Sequence, residues 1–355
     1  MSVSDPSTPP TLVLVGGFLG AGKTSLIMAA SRMLAKRGVS CAAILNDQGD
    51  ELVDTRQVQQ NGTSVSEVTG GCFCCQFTKL RESIDALRQT SPQVIFAEPV
   101  GSCTDIVATV LNPLRRESDL VRIAPFTVLV DPNRAEQMQT FDADPSMLFL
   151  WKKQLEEADI VCTTKLDRYP DISILPQAMR VSSKSGEGIR AWLDLVLTKG
   201  LSAGEHTLEI DYEEYAEAEA ALSWTNLSMH LDLEEVHTPS MLIGPLLDQL
   251  DEALTSENIE IVHLKLMDTA STGWVKAAIC RNGAEPSVDG DLDASPSTRH
   301  DLLLNLRAVG NPERVRAILE RATGQIKARE RNLRMDCFSP SPPQPEQRIP
   351  ALATN

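Results

Sequence analysis

Gly17-Phe18-Leu19-Gly20-Ala21-Gly22-Lys23-Thr24 satisfies the pattern G-x-x-x-x-G-K-[ST] at every fixed position. An apolar run, Thr11 to Val15, leads into it, and a helix-like segment from about Ser25 to Lys36 leaves it. A loop of this kind lets the backbone wrap round phosphate groups with its N–H bonds pointing inward, and the helix start adds positive potential. Lys23 would reach the β- and γ-phosphates, and Thr24 would hold Mg2+. Gly17, Gly20, Ala21, Gly22 and Ser25 complete the expected phosphate cradle. A glycine turn that merely joins strand to helix would need neither the lysine nor the threonine.

Working outward, the first 200 residues alternate strand-like and helix-like patterns, which signals a parallel sheet with helices on both faces. Strands are expected at Thr11–Val15, Cys41–Leu45, Val94–Ala97, Phe126–Val130, Ile160–Thr163 and Arg180–Ser182. Helices are expected near Thr78–Gln89, Asp105–Leu111, Ser146–Glu157 and Gly188–Leu197. The fold class is therefore α/β, a P-loop NTPase sheet over residues 11–200, behind a disordered N-terminus at 1–10. An acidic linker follows at 201–222, carrying Glu205, Glu209, Asp211, Glu213, Glu214, Glu217 and Glu219. A smaller α+β domain at 223–334 reads strand, helix, three strands, helix. The insertion from Gly283 to Arg299 reads as a mobile loop. The tail at 335–355, with Pro340, Pro342, Pro343, Pro345 and Pro350, reads as disordered.

Composition narrows the function. The chain has 355 residues and a net charge of -16, which argues against nucleic acid or an anionic membrane as main partner. No apolar run approaches the roughly 20 residues of a membrane span, and Met1–Pro10 lacks a signal pattern, so a cytoplasmic location is expected.

Two further stretches address the nucleotide. Thr163-Thr164-Lys165-Leu166-Asp167 follows an apolar strand in the manner of a guanine-reading N/T-K-x-D element. The Asp167 carboxylate would accept hydrogen bonds from guanine N1–H and its exocyclic amine, which adenine lacks, while the Lys165 stem would stack on the base. Thr164 stands where Asn is commoner. Ser182-Ser183-Lys184-Ser185-Gly186 offers a second base-contacting loop, with Ser183 as the candidate. Val94-Ile95-Phe96-Ala97-Glu98 reads as a strand ending in an acid that acts on Mg2+, and Gly101 would offer its N–H to the γ-phosphate.

Gly70-Gly71-Cys72-Phe73-Cys74-Cys75 puts three thiols within four residues. Thiolates so placed can converge on Zn2+, Cu(I) or Co2+, and fewer than four protein ligands leaves a position open for delivery. An extended backbone would set Cys72 and Cys74 on one side, and a helix starting beyond them would lower the thiol pKa values. A redox pair fits the same residues. Cys41, Cys103, Cys162 and Cys280 stand singly in or near apolar segments and read as buried free thiols.

In this order, GGFLGAGKT, GGCFCC, the strand ending in Glu98, and TKLD resemble the CobW-like GTPases. These are related to the urease and hydrogenase nickel-insertion GTPases. The resemblance implies a GTP-hydrolysing metallochaperone or metal-cofactor assembly factor, with Lys23, Thr24 and Glu98 at the hydrolytic site. GTP and Mg2+ would order switch loops and tighten a metal site at Cys72, Cys74 and Cys75; hydrolysis would release the metal to a client metalloprotein docked through the second domain. The family's N-E-x-G segment corresponds to Asn46-Asp47-Gln48-Gly49 here, which puts Asp47 in the place of a carboxylate near the metal. The five histidines are dispersed, unlike the histidine-rich stretch of many members. The alternatives are a regulatory G protein gating a cofactor-dependent, for instance corrinoid, enzyme with cysteines as redox sensor, and a small-molecule P-loop kinase.

Overall fold

The structure is a computed structural model that describes residues 9–48, 53–54, 64–117, 119–172, 174–198 and 200–350. The chain divides into two units. One comprises the residues up to 48, 54–218 and those from 342 onward; the other comprises 49–53 and 219–341.

The first unit is built on parallel strands: β1 (Thr11–Gly17), β2 (Cys41–Asn46), β3 (Ser64–Val68), β4 (Val94–Glu98), β5 (Arg122–Ile123), β6 (Thr127–Val130), β7 (Ile160–Thr163) and β8 (Met179–Arg180). Their order across the sheet is β3-β2-β4-β1-β6-β7-β8, with β5 beside β1. Every residue of β1 and of β4 is buried, as central parallel strands covered on both faces require. Helices α1 (Lys23–Ala35), α2 (Phe77–Arg88), α3 (Asn112–Arg115), α4 (Pro132–Met138), α5 (Pro145–Glu156) and α6 (Ile189–Val196) supply the cover. Leu26, Ile27 and Leu34 of α1 share one core with Trp192, Leu193 and Val196 of α6 and with Val13 and Val15 of β1.

The strand and helix alternation is as expected apart from two strands not foreseen, β3 and β5, and three local differences in the helices. Helix α1 starts at Lys23 instead of Ser25, because Gly22 takes a left-handed conformation (φ 93°) that a side chain would resist. Asp131 caps α4 through Asn133 N–H at 2.9 Å, adding a short helix that periodicity alone does not reveal. The segment expected as a helix at Asp105–Leu111 opens with a π-helical turn, Val107–Leu111, before α3. Residues 201–218, expected as a linker, belong to this unit: Gly204 and Glu205 donate their N–H groups to the Asp159 carboxylate, and α7 (Tyr212–Ala220) follows.

The second unit is a six-stranded antiparallel sheet in the order β12-β11-β10-β13-β9-β14. It comprises β9 (Leu222–His237), α8 (Pro239–Ser256), β10 (Glu260–Ala270), β11 (Gly273–Ile279), β12 (Ser287–Gly290), β13 (Ser297–Val309), α9 (Pro312–Gly324) and β14 (Ala328–Phe338). Alternate residues of the long strands, Leu227, Met229 and Leu231 of β9 and Leu302, Leu304 and Leu306 of β13, pack with Leu246 and Leu250 of α8 and Ile318 and Leu319 of α9. That period-2 pattern faces both helices to one side of the sheet. Strand β12 lies inside the stretch expected as a mobile loop, and β14 extends into the stretch expected as a disordered tail. Residues 335–338 find ladder partners on β9, from Met335 opposite Leu227 to Phe338 opposite Trp224. Beyond them the chain remains described to Pro350 and rejoins the first unit.

Candidate functional site

The strands of the first unit end together: β1 at Gly17, β2 at Asn46, β3 at Val68, β4 at Glu98 and β7 at Thr163. The carboxyl edge of an open parallel sheet is where such folds gather their ligands. Gly17 to Ala21 are buried, Gly22 is half-buried, Lys23 and Thr24 are buried at the start of α1, and Ser25 is exposed. Gly20 (φ 82°) and Gly22 turn the backbone so that the loop leads directly into α1, whose N-terminal end favours an anion. Lys23 Nζ donates to the Gly17 carbonyl at 2.9 Å, which holds the ammonium across the loop.

Thr24 Oγ1 stands 2.9 and 3.1 Å from the two carboxylate oxygens of Glu98, at the end of β4. A hydroxyl from the start of α1 and a buried carboxylate from the end of β4 are hard oxygen donors suited to Mg2+. Gly101 closes the other side. A Cβ placed there would lie 2.7 Å from Leu19 Cδ2 and 3.0 Å from Lys23 Nζ, so only glycine leaves that space open.

At the far end of the edge, Thr164 Oγ1 donates to the Ala21 carbonyl at 2.9 Å, tying the base-reading segment to the phosphate loop. The threonine does this at the position where asparagine is commoner. Lys165 adopts φ 58° and its Nζ pairs with Asp131 Oδ2 at 2.6 Å. Asp167 is exposed and accepts a hydrogen bond from Ser182 Oγ, so the two expected base-contacting loops meet. Ser183 follows, half-buried.

The cysteine segment hangs between β3 and α2. It is not extended as expected: Cys75 N–H and Gln76 N–H both donate to the Cys72 carbonyl, at 3.0 and 2.9 Å, closing a tight turn. Asn46, the last residue of β2, fixes that turn with its whole amide. Its Nδ2 donates to the Val68 carbonyl (2.8 Å) and the Gly71 carbonyl (2.7 Å), and its Oδ1 accepts from Phe73 N–H (2.8 Å). Asp47, the expected carboxylate, is half-buried next to it and donates its N–H to the Val68 carbonyl at 3.3 Å.

The Cys75 sulfur lies 3.1 Å from that of Cys72 and 3.7 Å from that of Cys74. A fourth thiol joins them. Cys103, expected to be a core cysteine, brings its sulfur within 4.8 Å of those of Cys72 and Cys74, all three buried. Single-cysteine context could not reveal this, because the contact depends on the packing of the turns that follow β3 and β4. The shared protons of the cluster divide unevenly. Hydrogen bonds from Cys103, Cys74 and Cys75 hold the Cys72 thiol well below its usual range despite burial. Cys74 is pushed well up by its own bonds to Cys103, Cys72 and Cys75 and by burial, and Cys75 is pushed up to about 11, chiefly by its bond to Cys72. The helix start therefore does not lower all three thiols: Cys72 is shifted down while Cys74 and Cys75 are shifted up.

The C-terminal stretch lies against this cluster. Gln344 N–H points at Cys75 Sγ at 3.2 Å, and Glu346 N–H donates to the Cys74 carbonyl at 3.0 Å. Glu346 Oε2 accepts from Thr78 N–H (3.1 Å) and Thr78 Oγ1 (2.6 Å), capping the first turn of α2. Ile349 N–H donates to the Ala108 carbonyl at 2.8 Å, and the Ile349 carbonyl accepts from Asn112 Nδ2 at 2.7 Å. Prolines interrupt helix and sheet, yet Gln344, Glu346 and Ile349, which alternate with them, keep the N–H groups that dock the strap.

No helix among the described residues is long and apolar enough to cross a membrane. Residues 11–187 match the family model of the CobW/HypB/UreG nucleotide-binding domain. The chain is 26% identical over 292 residues to the zinc chaperone CobW of Pseudomonas aeruginosa, covering 68% of this chain and 74% of that one. It is 27% identical over 165 residues to the zinc chaperone YeiR of Escherichia coli, covering 44% of this chain and 46% of the relative. Among solved structures it is similar to nickel-bound HypB of Helicobacter pylori, with a TM-score of 0.41 and 15% identity over 54% of this chain and 86% of that one. It is similar also to Zn(II)-bound YjiA GTPase from E. coli, with a TM-score of 0.33 and 14% identity over 90% of this chain and 99% of that one. A complete phosphate loop, the Thr24–Glu98 contact and a thiol cluster at one sheet edge agree with the family match, and the chain belongs to the CobW-like P-loop GTPases.

Proposed function

We propose that the protein is a GTP-hydrolysing metallochaperone whose cargo is a thiophilic transition metal, Zn2+ or Co2+, released to a client protein when GTP is hydrolysed. The observation that carries this reading is the thiol cluster, Cys72, Cys74 and Cys103, on loops that follow the same sheet edge as Lys23, Thr24 and Glu98. Lys23 and the N–H groups of Gly20 to Thr24 bind the triphosphate. Asp167 selects guanine, supported by Ser182, with Thr164, Lys165 and Ser183 around it. Thr24 and Glu98 would hold Mg2+, which supplies positive charge against the β- and γ-phosphates.

Binding of the triphosphate and of the cargo each favours the ordered form of the loops, so each raises the other's affinity by the same factor. Thiols give up protons when they ligate, so uptake weakens in acid. Zinc appears in the names of the relatives CobW and YeiR and nickel in that of the HypB structure. Sulfur donors without histidine favour zinc or cobalt over nickel at this chain's site.

The test is titration of the reduced full-length protein with Co2+, in GDP and in a non-hydrolysable GTP analogue. One ion per chain, thiolate charge-transfer bands, and an affinity roughly fivefold to a hundredfold higher with the analogue are expected. Absence of binding in both nucleotides would leave the cysteines as redox elements of a regulatory G protein.

A further inference from the structure

Of the clustered thiols, Cys103 stands nearest the nucleotide machinery along the chain, five residues after Glu98 and two after Gly101. One end of this turn faces the phosphate loop, since a Cβ on Gly101 would lie 3.0 Å from Lys23 Nζ. The other end delivers a buried sulfur to within 4.8 Å of Cys72 and Cys74. A single side chain ties the ends together. The buried amide of Gln154, on α5, donates from Nε2 to the Gly101 carbonyl at 3.0 Å and to the Cys103 carbonyl at 2.9 Å. Cys103 N–H folds back to the Val100 carbonyl at 3.0 Å. Gly101 and Cys103 cannot separate without stranding a buried carbonyl, so the turn moves as one piece.

The remaining thiols are anchored elsewhere. Asn46 fastens the Cys72–Cys75 turn to the end of β2, and the sulfur atoms of Cys72 and Cys74 meet that of Cys103 on the turn after β4. Two turns, each with its own anchor and both touched by the C-terminal segment, thus share the sulfur cluster, and the one that carries Gly101 borders the phosphate loop. Cys41, Cys162 and Cys280 have no comparable placement: none of them belongs to the sulfur cluster.

Resting on the reading of this cluster as a cargo site, we infer that Cys103 is a ligand of the cargo metal and the one through which nucleotide state reaches it, with Gln154 as the positioning residue. Uptake is ligand exchange without redox change. Cys72, Cys74 and Cys103 each bind the same divalent ion as thiolates, and any proton they still carry is released to solvent. Three sulfurs leave the fourth position of a tetrahedral ion for Cys75, for solvent or for a client's ligand. Loss of the γ-phosphate lets the Gly101–Cys103 turn shift, which lengthens one of the three bonds and opens the site.

The experiment is the Co2+ titration of the full-length, reduced protein, in GDP and in the GTP analogue, on Cys103→Ser, Cys75→Ser and Gln154→Met. Cys103→Ser is expected to lose about a quarter to a third of the charge-transfer intensity, according to whether Cys75 fills the fourth position, and all dependence on nucleotide. Gln154→Met should keep full intensity while its ratio of affinities in the two nucleotides falls toward one. A merely structural role for Gln154 would weaken both nucleotide states alike and leave that ratio intact. Full intensity and full nucleotide dependence in Cys103→Ser would overturn the inference and leave the metallochaperone reading standing. Failure of the unaltered protein to bind Co2+ would instead remove that reading. Should Cys103→Ser not fold, judged by lost GDP binding, Cys75→Ser decides the ligand: X-ray absorption should count three sulfurs round cobalt, which requires Cys103, whereas two would overturn it.

Discussion

Arg348 Nε donates to Asp105 Oδ2 at 2.7 Å, joining the end of the described chain to the turn that carries Cys103. Tyr212 donates its hydroxyl to the same oxygen at 2.7 Å. Asp105 is fully buried and holds φ 60°, a left-handed conformation uncommon for a residue with a side chain. Cationic and phenolic donors therefore both hold its carboxylate. Four residues earlier, the same strap meets Cys75 through Gln344. One extended segment thus touches both turns that supply sulfur.

Removing that segment should speed metal exchange. A hydrogen bond to a charged partner is worth about 1.5–3 kcal/mol, and less here because the Arg348 side chain is 32% exposed. Arg348→Ala, or truncation after Ser341, should raise the rate of Zn2+ loss to a chelator roughly three- to thirtyfold, with GDP affinity unchanged. The measurement is stopped-flow transfer of Zn2+ to a chromophoric chelator. Equal rates in the variant and the unaltered protein would mean the strap does not cover the exit.

The strap also shows where sequence reasoning stops. Prolines at 342, 343, 345 and 350 exclude helix and ladder locally, and from that alone disorder follows. Docking depends on N–H groups between them finding carbonyls and a sulfur hundreds of positions earlier. The phosphate loop was legible because its chemistry is contiguous: Gly17 to Thr24 carry their own turn, charge and helix start. Glu98 was legible because an apolar strand must end in that acid beside the loop. Cys103 was not, since nothing within its own segment distinguishes a ligand from a core thiol. Asn46 was visible as part of N-D-Q-G, but its three bonds to the cysteine turn depend on β2 and β3 pairing in register.

Gly101→Ala should suppress hydrolysis more than binding. The added methyl meets Leu19 Cδ2 at 2.7 Å and Lys23 Nζ at 3.0 Å. Both are flexible side-chain ends, so the protein folds, but the ammonium is pushed aside. Misplacing a charge that stabilises the transferring phosphoryl group costs on the order of 2.7–4 kcal/mol, or about a hundredfold or more in rate. Single-turnover GTP hydrolysis beside GDP affinity checks this. An unaltered rate would separate Gly101 from the catalytic cradle.

Guanine preference should rest on Asp167. Its carboxylate can accept both guanine-specific donors, while Ser182 Oγ orients it. Losing a charge-assisted hydrogen bond costs about 1.5–3 kcal/mol, so Asp167→Asn should weaken GTP about tenfold or more. The amide should improve xanthosine nucleotides. Fluorescent-nucleotide competition with GTP, ATP and XTP measures all three. Equal affinity of the unaltered protein for ATP and GTP would end the argument for this segment as base reader.

Glu157 gives the last prediction, one of stability against pH. It is wholly buried after α5, where its carboxylate accepts from Val107 N–H at 3.1 Å and Thr104 Oγ1 at 3.3 Å. Burial drives its pKa well above the usual carboxylate range, and the Asp105 charge adds to this, outweighing the bonds from Val107, Ile106 and Thr104. The sign follows from where the proton sits. Below about pH 4.3 the group is protonated whether folded or unfolded, and the folded state bears no penalty. Above that, the unfolded chain ionises while the folded one keeps its proton. Each pH unit in that window removes about 1.4 kcal/mol of stability until the folded carboxyl itself ionises. Glu157→Gln keeps the acceptor oxygen and cannot ionise, so it should remove this slope. Denaturant unfolding of the first unit at pH 5, 6.5 and 8 should show the variant's advantage over the unaltered protein growing with pH. An advantage that stays constant or shrinks would mean Glu157 is ionised in the folded protein and paired by its N–H donors after all.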